Sequence, residues 1–332
     1  MTERTTTRRR FLQASAATVV TGALPATATA AETGWTVAET PSDTSDEPWQ
    51  TAKTPTGNTL YDVEYTNDGA YAVGAGGVAI RRTPDGWRTV FDGGVTGNGN
   101  SLYGADVTDD GKQIWMVGSS GAVGAYDVET GTLYDHSKPV GSTNNFNDVS
   151  VTGPAGEANV YVAGDSGKVY YSFENGESQT WNYVTPGSGS GLSAIDFHDV
   201  KSGHVVDTNQ KVFQTTDGVS YDDIGIADAN VNFYGVDSDA RDDVWVSGGG
   251  GMVFHWDGAN WTPTDLGDAG LRDVEVTDDD RNGFTVGGGG KVFDLTDGKW
   301  AQDATPTGQN LKAVVRGSPN VAVGAGGTVV EN

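Results

Sequence analysis

The sequence predicts an all-β fold, a seven-bladed β-propeller of four-stranded blades whose last blade is closed by an N-terminal strand. Three observations carry this. A glycine-rich hairpin signature occurs six times, at Val73–Gly77, Val117–Gly121, Ala163–Gly167, Ser247–Gly251, Val286–Gly290 and Val323–Gly327. An apolar strand precedes each copy, and its seven starts are Leu60, Leu102, Phe146, Leu192, Phe233, Leu271 and Leu311, spaced 42, 44, 46, 41, 38 and 40 residues apart. An Asp-Gly turn followed by tryptophan recurs after the third strand, as in Asp85-Gly86-Trp87, Asp257-Gly258-Ala259-Asn260-Trp261 and Asp297-Gly298-Lys299-Trp300. A period near 40–45 residues with four strands per period is that of propeller blades, and no helical 3.6 pattern is sustained beyond the first thirty residues.

Within each unit the glycines between β-branched residues predict a tight hairpin of the primed turn types, since glycine takes positive φ without a Cβ clash. Asp-Gly supplies the next turn, and the tryptophan opens an outer strand that fills the widening gap between blades. The fourth unit is degenerate. It has Asp207-Thr208-Asn209-Gln210 in place of the glycines, and Tyr221 in place of the tryptophan.

The seventh unit stops after its third strand, at Val329-Val330-Glu331-Asn332. The missing outer strand is predicted at the other end of the sequence. Trp49 precedes Leu60 by eleven residues, as Trp300 precedes Leu311, and Thr-Pro-Thr-Gly follows in both places. A segment beginning at Trp49 should therefore pair beside residues 328–331 and remove the open sheet edges. Gly34-Trp35-Thr36-Val37 competes for this place but lacks the matching spacing.

Ahead of the repeats, residues 1–30 resemble a twin-arginine export signal. Arg8-Arg9-Arg10-Phe11-Leu12 leads a mildly apolar run that ends in Ala26-Thr27-Ala28-Thr29-Ala30. The run is too short and too rich in Thr and Ala to span a membrane, and no cysteine follows it to carry a lipid. Residues 31–46 read as a polar linker, and residues 47–332 as one propeller domain. An extracellular or cell-surface location is expected.

The chain has no cysteine, so its core rests on strand and blade packing alone. Its formal net charge is −25 and its lysines number only nine. Loss of residues 1–30, with Arg4, Arg8, Arg9, Arg10 and Glu3, would take the charge to −28. Such a surface repels nucleic acid and anionic lipid. It resembles the haloarchaeal type of acidic composition, in which dense carboxylates keep a protein hydrated in molar salt. A monomer is expected.

The assembled unit, a Val-Gly-x-x-Gly-x-Val hairpin followed by Thr-x-Asp-Gly-x-x-Trp, resembles the BNR/Asp-box-like propellers of the photosystem II stability and assembly factor type, over residues 47–332. The strict Asp-box pattern, Ser-x-Asp-x-Gly-x-x-Trp, is only approximated. The resemblance implies the propeller fold and a non-enzymatic, binding character, and fold analogy goes no further.

The chemistry-bearing residues fit that character. Sialidase-type catalysis needs an arginine clamp, whereas Arg81, Arg82, Arg88, Arg241, Arg272, Arg281 and Arg316 are scattered over the units. The histidines, His136, His198, His204 and His255, are not at metal-ligand spacing. His198 and His204 with Asp207 form the one set that a lyase or hydrolase acting in the central depression would use; ordinary structural histidines are the favoured reading. Asp278-Asp279-Asp280-Arg281-Asn282-Gly283 opens like a calcium loop, with Asp278, Asp280 and Asn282 as ligands, but Gly289 stands where the bidentate glutamate belongs. A plain acidic turn is favoured there, and no cofactor other than calcium is suggested.

Two once-per-blade sets complete the inventory. Carboxylates stand at the fifth position of the first strand, at Glu64, Asp106, Asp196, Asp237 and Glu275, with Ser150 and Val315 as exceptions. They would either hold a cation on the axis or, the favoured reading, bond to backbone groups of the next blade. Tyr61, Tyr103 and Tyr234 recur near the strand starts and read as packing between blades. Asn260-Trp261-Thr262 is the single glycosylation sequon. The function expected is that of a secreted, non-catalytic binding or scaffold propeller at the cell envelope, its partner a protein or small ligand.

Overall fold

The computed structural model describes residues 48–332. The export signal, the linker and the competing strand around Trp35 lie outside the described residues. Seven antiparallel four-stranded sheets are arranged with the first strand of each at the axis. Blade 1 runs Leu60–Thr66, Gly69–Gly74, Ala79–Thr83 and Gly86–Phe91 from axis to rim. Blades 2 to 6 repeat the order, with inner strands Leu102–Val107, Phe146–Thr152, Leu192–Asp199, Phe233–Ala240 and Leu271–Val276.

Blade 7 takes three strands from one end of the chain, Leu311–Val315, Val321–Gly324 and Val329–Glu331, and its outer strand Gln50–Ala52 from the other. The register pairs Gln50 with Glu331, Thr51 with Val330 and Ala52 with Val329. The spacing argument for Trp49 therefore holds. Trp49 is buried, sets its ring edge-on to Phe284 at 5.5 Å, and donates from its indole Nε1 to Asp303 Oδ2 at 3.1 Å. The two Thr-Pro-Thr-Gly copies also act alike. Thr54 Oγ1 donates to Gly327 O at 2.8 Å, and Thr305 Oγ1 donates to Gly290 O at 2.6 Å. Each clasps the glycine turn of its own blade.

The core lies between blades. Alternating Val, Ile and Ala of neighbouring inner sheets meet, and the outer-strand aromatic of one blade packs on the blade before it. Trp87 joins Val315 and Val323 of blade 7, Trp181 joins Trp115 and Val117 of blade 2, and Tyr221 takes the equivalent place against blade 3. Burying side chains of this size contributes about 1.5–3 kcal/mol each.

The glycine turns are wider than the two-residue primed turns expected. In blade 6 a single 3-10 turn, Gly288–Gly290, joins strands whose register ends at the Val286–Val292 pair, and Gly287 N donates to Lys291 O. Glycine is still required. Gly290 has φ +75°, and a Cβ there would lie 2.1 Å from Thr307 O of the outer connection. Close approach between the two loops, as much as positive φ, fixes the last glycine of the turn.

Candidate functional site

Every inner strand carries the same irregularity. Its register with the second strand slips after the first residue, between Leu60 and Asp62, Leu102 and Gly104, Phe146 and Asp148, Leu192 and Ala194, Phe233 and Gly235, Leu271 and Asp273, and Leu311 and Ala313. The skipped residues are Tyr61, Tyr103, Asn147, Ser193, Tyr234, Arg272 and Lys312. A β-bulge leaves one residue out of the ladder and re-aims its side chain. All seven line one axial depression of about 300 Å³, on the face that bears the glycine turns. The fold thus presents one freely chosen side chain per blade at a common level.

The ring is chemically uneven. Tyr61 and Tyr103 meet edge-on at 5.1 Å, and burial, then the neighbouring Tyr103, raises the Tyr61 pKa and keeps its hydroxyl protonated. Asn147 donates to Leu192 O at 2.7 Å, and Ser193 Oγ donates to Phe233 O at 2.8 Å. On the blade next to Tyr234 the Arg272 guanidinium lies 4.0 Å from the centre of the Tyr234 ring. Lys312 stands on the next blade, and burial, then the charge of Arg272, lowers its pKa. Neither cation forms a carboxylate ion pair among the described residues.

Asp62, Asp148 and Asp273 line the same depression, but their carboxylates are engaged in holding the blades together. Asp62 Oδ2 accepts from Ala105 N at 2.7 Å, Asp148 Oδ2 from Ile195 N at 2.9 Å, and Asp273 Oδ2 from Val314 N at 2.9 Å. Two residues further along the strand four of the five fifth-position carboxylates do the same. Asp106 binds Val151 N at 2.6 Å, Asp196 binds Ser238 N at 2.8 Å, Asp237 binds Val276 N at 2.6 Å, and Glu275 binds Arg316 N at 2.8 Å. Ser150, an exception by residue type, reaches Phe197 N at 3.1 Å. These groups bond to the backbone of the next blade, as the favoured reading had it.

Of the residues singled out for catalysis, the structure gathers two and separates the third. His198 Nδ1 and His204 Nδ1 both approach Ser238 Oγ of blade 5, at 2.9 and 2.7 Å. Ser238 and His204 are fully buried. Asp207 is at the far end of Ser202–Asp207, pairs with Leu192, and accepts from Asn209 N and Lys211 N of its own turn. None of the three lines the axial depression.

The acidic turn of blade 6 also departs from the calcium-loop arrangement. Asn282 begins the second strand opposite Thr296, while Asp280, at φ +58°, points to blade 5. There it meets Asp243 and His255. His255 Nε2 is 3.2 Å from Asp243 Oδ1 and 3.5 Å from Asp280 Oδ1. Burial opposes the charge on His255, but the bond to Asp243 and the charge of Asp280 outweigh it and raise its pKa.

Sequence reasoning missed the ring. Arg272 was one of several scattered arginines and the tyrosines were packing residues; aligning the second position of all seven inner strands would have shown Tyr, Tyr, Asn, Ser, Tyr, Arg, Lys as one set.

No family model matches the sequence, and no curated protein matches it either. Solved structures do resemble it. A structure of YCF48 bound to D1 peptide is 14% identical, with a TM-score of 0.67 over 86% of this chain and 94% of that one. YCF48 from Cyanidioschyzon merolae is 17% identical, with a TM-score of 0.66 over 86% of this chain and 98% of the other. Virginiamycin B lyase from Staphylococcus aureus is 11% identical, with a TM-score of 0.71 over 85% and 97%. At these identities the likeness is one of fold.

Proposed function

We propose that this propeller is a non-catalytic binding protein of the cell envelope, and that its axial depression holds a protein segment bearing a carboxylate. The observation that carries the reading is the bulge ring. In a chain of net charge −25, the fold turns Arg272 and Lys312 into one opening, without an ion-pair partner among the described residues, with Tyr61 and Tyr103 on the blades that follow. A carboxylate would meet two cations in a half-buried site, where charge-assisted hydrogen bonds are about twice as strong as neutral ones. The tyrosines offer rigid apolar area with a polar tip, suited to the side chains beside it. That a fold neighbour is described with a bound peptide supports a peptide as the ligand class.

Export through the twin-arginine route and an acidic, salt-adapted surface remain parts of this proposal. They rest on Arg8, Arg9 and Arg10 and on the overall charge. Among the described residues no helix is long and apolar enough to cross a membrane. A lyase or hydrolase built on His198, His204 and Asp207 has no comparable support, because His204 and Ser238 are sealed and Asp207 caps its own turn.

The test is affinity capture of envelope and secreted proteins on the full-length chain and on R272A/K312A, in molar salt. A saturable partner held by the native chain and lost by the double variant supports the reading; synthetic peptides from that partner should then bind with a free C-terminal or side-chain carboxylate and not when amidated. Equal capture by both proteins would move the interface off the depression.

A further inference from the structure

At the junction of blades 5 and 6, on the face opposite the glycine turns, Asp243 and His255 of one blade meet Asp280 of the next. We propose that these three residues form a binding site for a divalent first-row transition cation of the zinc class, which would cross-link the two blades.

The distances support a shared ligand. Donor atoms about 2.0–2.2 Å from a tetrahedral zinc ion lie roughly 3.3–3.6 Å from one another. His255 Nε2 lies 3.2 Å from Asp243 Oδ1 and 3.5 Å from Asp280 Oδ1, and the three ligand atoms lie within 4.8 Å of one another. Two carboxylates so close to one imidazole nitrogen repel each other unless a proton or a cation lies between them. One nitrogen and two oxygens suit zinc better than calcium, which takes six to eight oxygen ligands.

The surroundings hold the ligands in place. The His255 ring is stacked on the Trp245 indole at 4.1 Å with an interplanar angle of 7°. The same indole donates from Nε1 to Asp280 Oδ1 at 2.8 Å. One tryptophan therefore fixes the plane of the nitrogen ligand and the position of an oxygen ligand across the blade boundary, the role that outer hydrogen bonds have around metal ligands. Trp245 is itself wedged edge-on against Trp300 of blade 6 at 5.9 Å. The side chains of Asp243, His255 and Asp280 retain 19%, 22% and 37% exposure, so a cation can enter and a water can complete its shell.

The test is calorimetric titration of the full-length chain, freed of metal by a chelator, with zinc chloride in molar potassium chloride. One site per chain is expected, at micromolar affinity or tighter, with H255Q and D280N each weakening it by more than about tenfold. D280N keeps an acceptor for the Trp245 indole, so it removes the ligand charge while preserving the packing. Zinc should raise the melting midpoint of the native chain and not that of D280N, and excess calcium should not displace it. Absence of a stoichiometric site would overturn the proposal. So would zinc binding left unchanged by H255Q, which would assign it to scattered surface carboxylates.

Discussion

Glu331 of blade 7 and Trp87 of blade 1 are joined by a 2.8 Å hydrogen bond from the indole Nε1 to Oε1, across the seam where the ring closes. Arg82 binds the same carboxylate through Nε at 3.0 Å and Nη2 at 3.2 Å. The seam thus has two fastenings, the strand pairing of Gln50–Ala52 with Val329–Glu331 and this three-bond clasp.

Glu331→Ala should lower stability by about 2–3 kcal/mol. It removes two charge-assisted bonds and leaves the Trp87 indole, which is buried, without its acceptor. Glu331→Gln keeps one acceptor oxygen and should lose about half as much. Denaturant midpoints at fixed molar salt measure both. Equal midpoints for the native protein and Glu331→Ala would show that strand pairing alone closes the ring.

The inner carboxylates make a separate prediction. Asp237 is 1% exposed, and its Oδ2 accepts from Val276 N at 2.6 Å. Asp237→Ala leaves that buried amide unpaired and should cost about 2–3 kcal/mol. Asp237→Asn retains an acceptor and should cost roughly 1 kcal/mol. On zinc-free protein a calcium chelator should leave the melting of the native chain unchanged, because the Asp237 carboxylate already has a protein partner. A chelator effect that vanishes in the variants would instead point to an axial cation.

Gly290→Ala should destabilise by roughly 2–4 kcal/mol, since its Cβ would lie 2.1 Å from a backbone oxygen at φ +75°. Gly289→Ala, at φ +70° with nothing within 4 Å, should cost only about 1–2 kcal/mol from backbone strain. Thermal midpoints of the two variants separate close approach from conformational preference. If both fall equally, the approach of Thr307 yields to the added methyl and positive φ alone explains the glycine.

The repeat was legible because each blade makes the same demands on its own residues. Gly290 must admit the outer loop and Trp300 must fill a gap, so composition and spacing record them. Even the blade 4 exception is orderly, with Gln210 at φ +68° in the place of Gly290 and its side chain accepting from Asn230 N. The depression was not legible in this way. A bulge residue is free of ladder and core, so nothing local marks Tyr61, Arg272 or Lys312 as a set. Contacts between blades were hidden for another reason. Asp280 and His255 are 25 residues apart, and His204 and Ser238 are 34 apart. Only the packing of one sheet on the next brings them together.

His204 gives the pH prediction. Burial, then the neighbouring His198, lowers its pKa from 6.5 to about 3, and its Nε2 has no hydrogen-bond partner among the described residues. An unfolded chain takes up a proton at this residue near pH 6.5, whereas the folded chain does so only near pH 3. Its contribution to stability is therefore fully present above pH 6.5 and is lost as pH falls towards 3, with a slope of at most about 1.4 kcal/mol per pH unit. Ordinary carboxylates titrate below about pH 5, and the other three histidines are shared by native protein and variant, so the difference between the two from pH 6.5 to 5 isolates His204. His204→Asn keeps a polar atom near Ser238 and cannot titrate. The difference in stability between native protein and variant should narrow steadily across that interval at constant molar salt. A difference that stays constant would mean that His204 protonates in the folded state as easily as in the unfolded one, and that the junction of blades 4 and 5 opens to water.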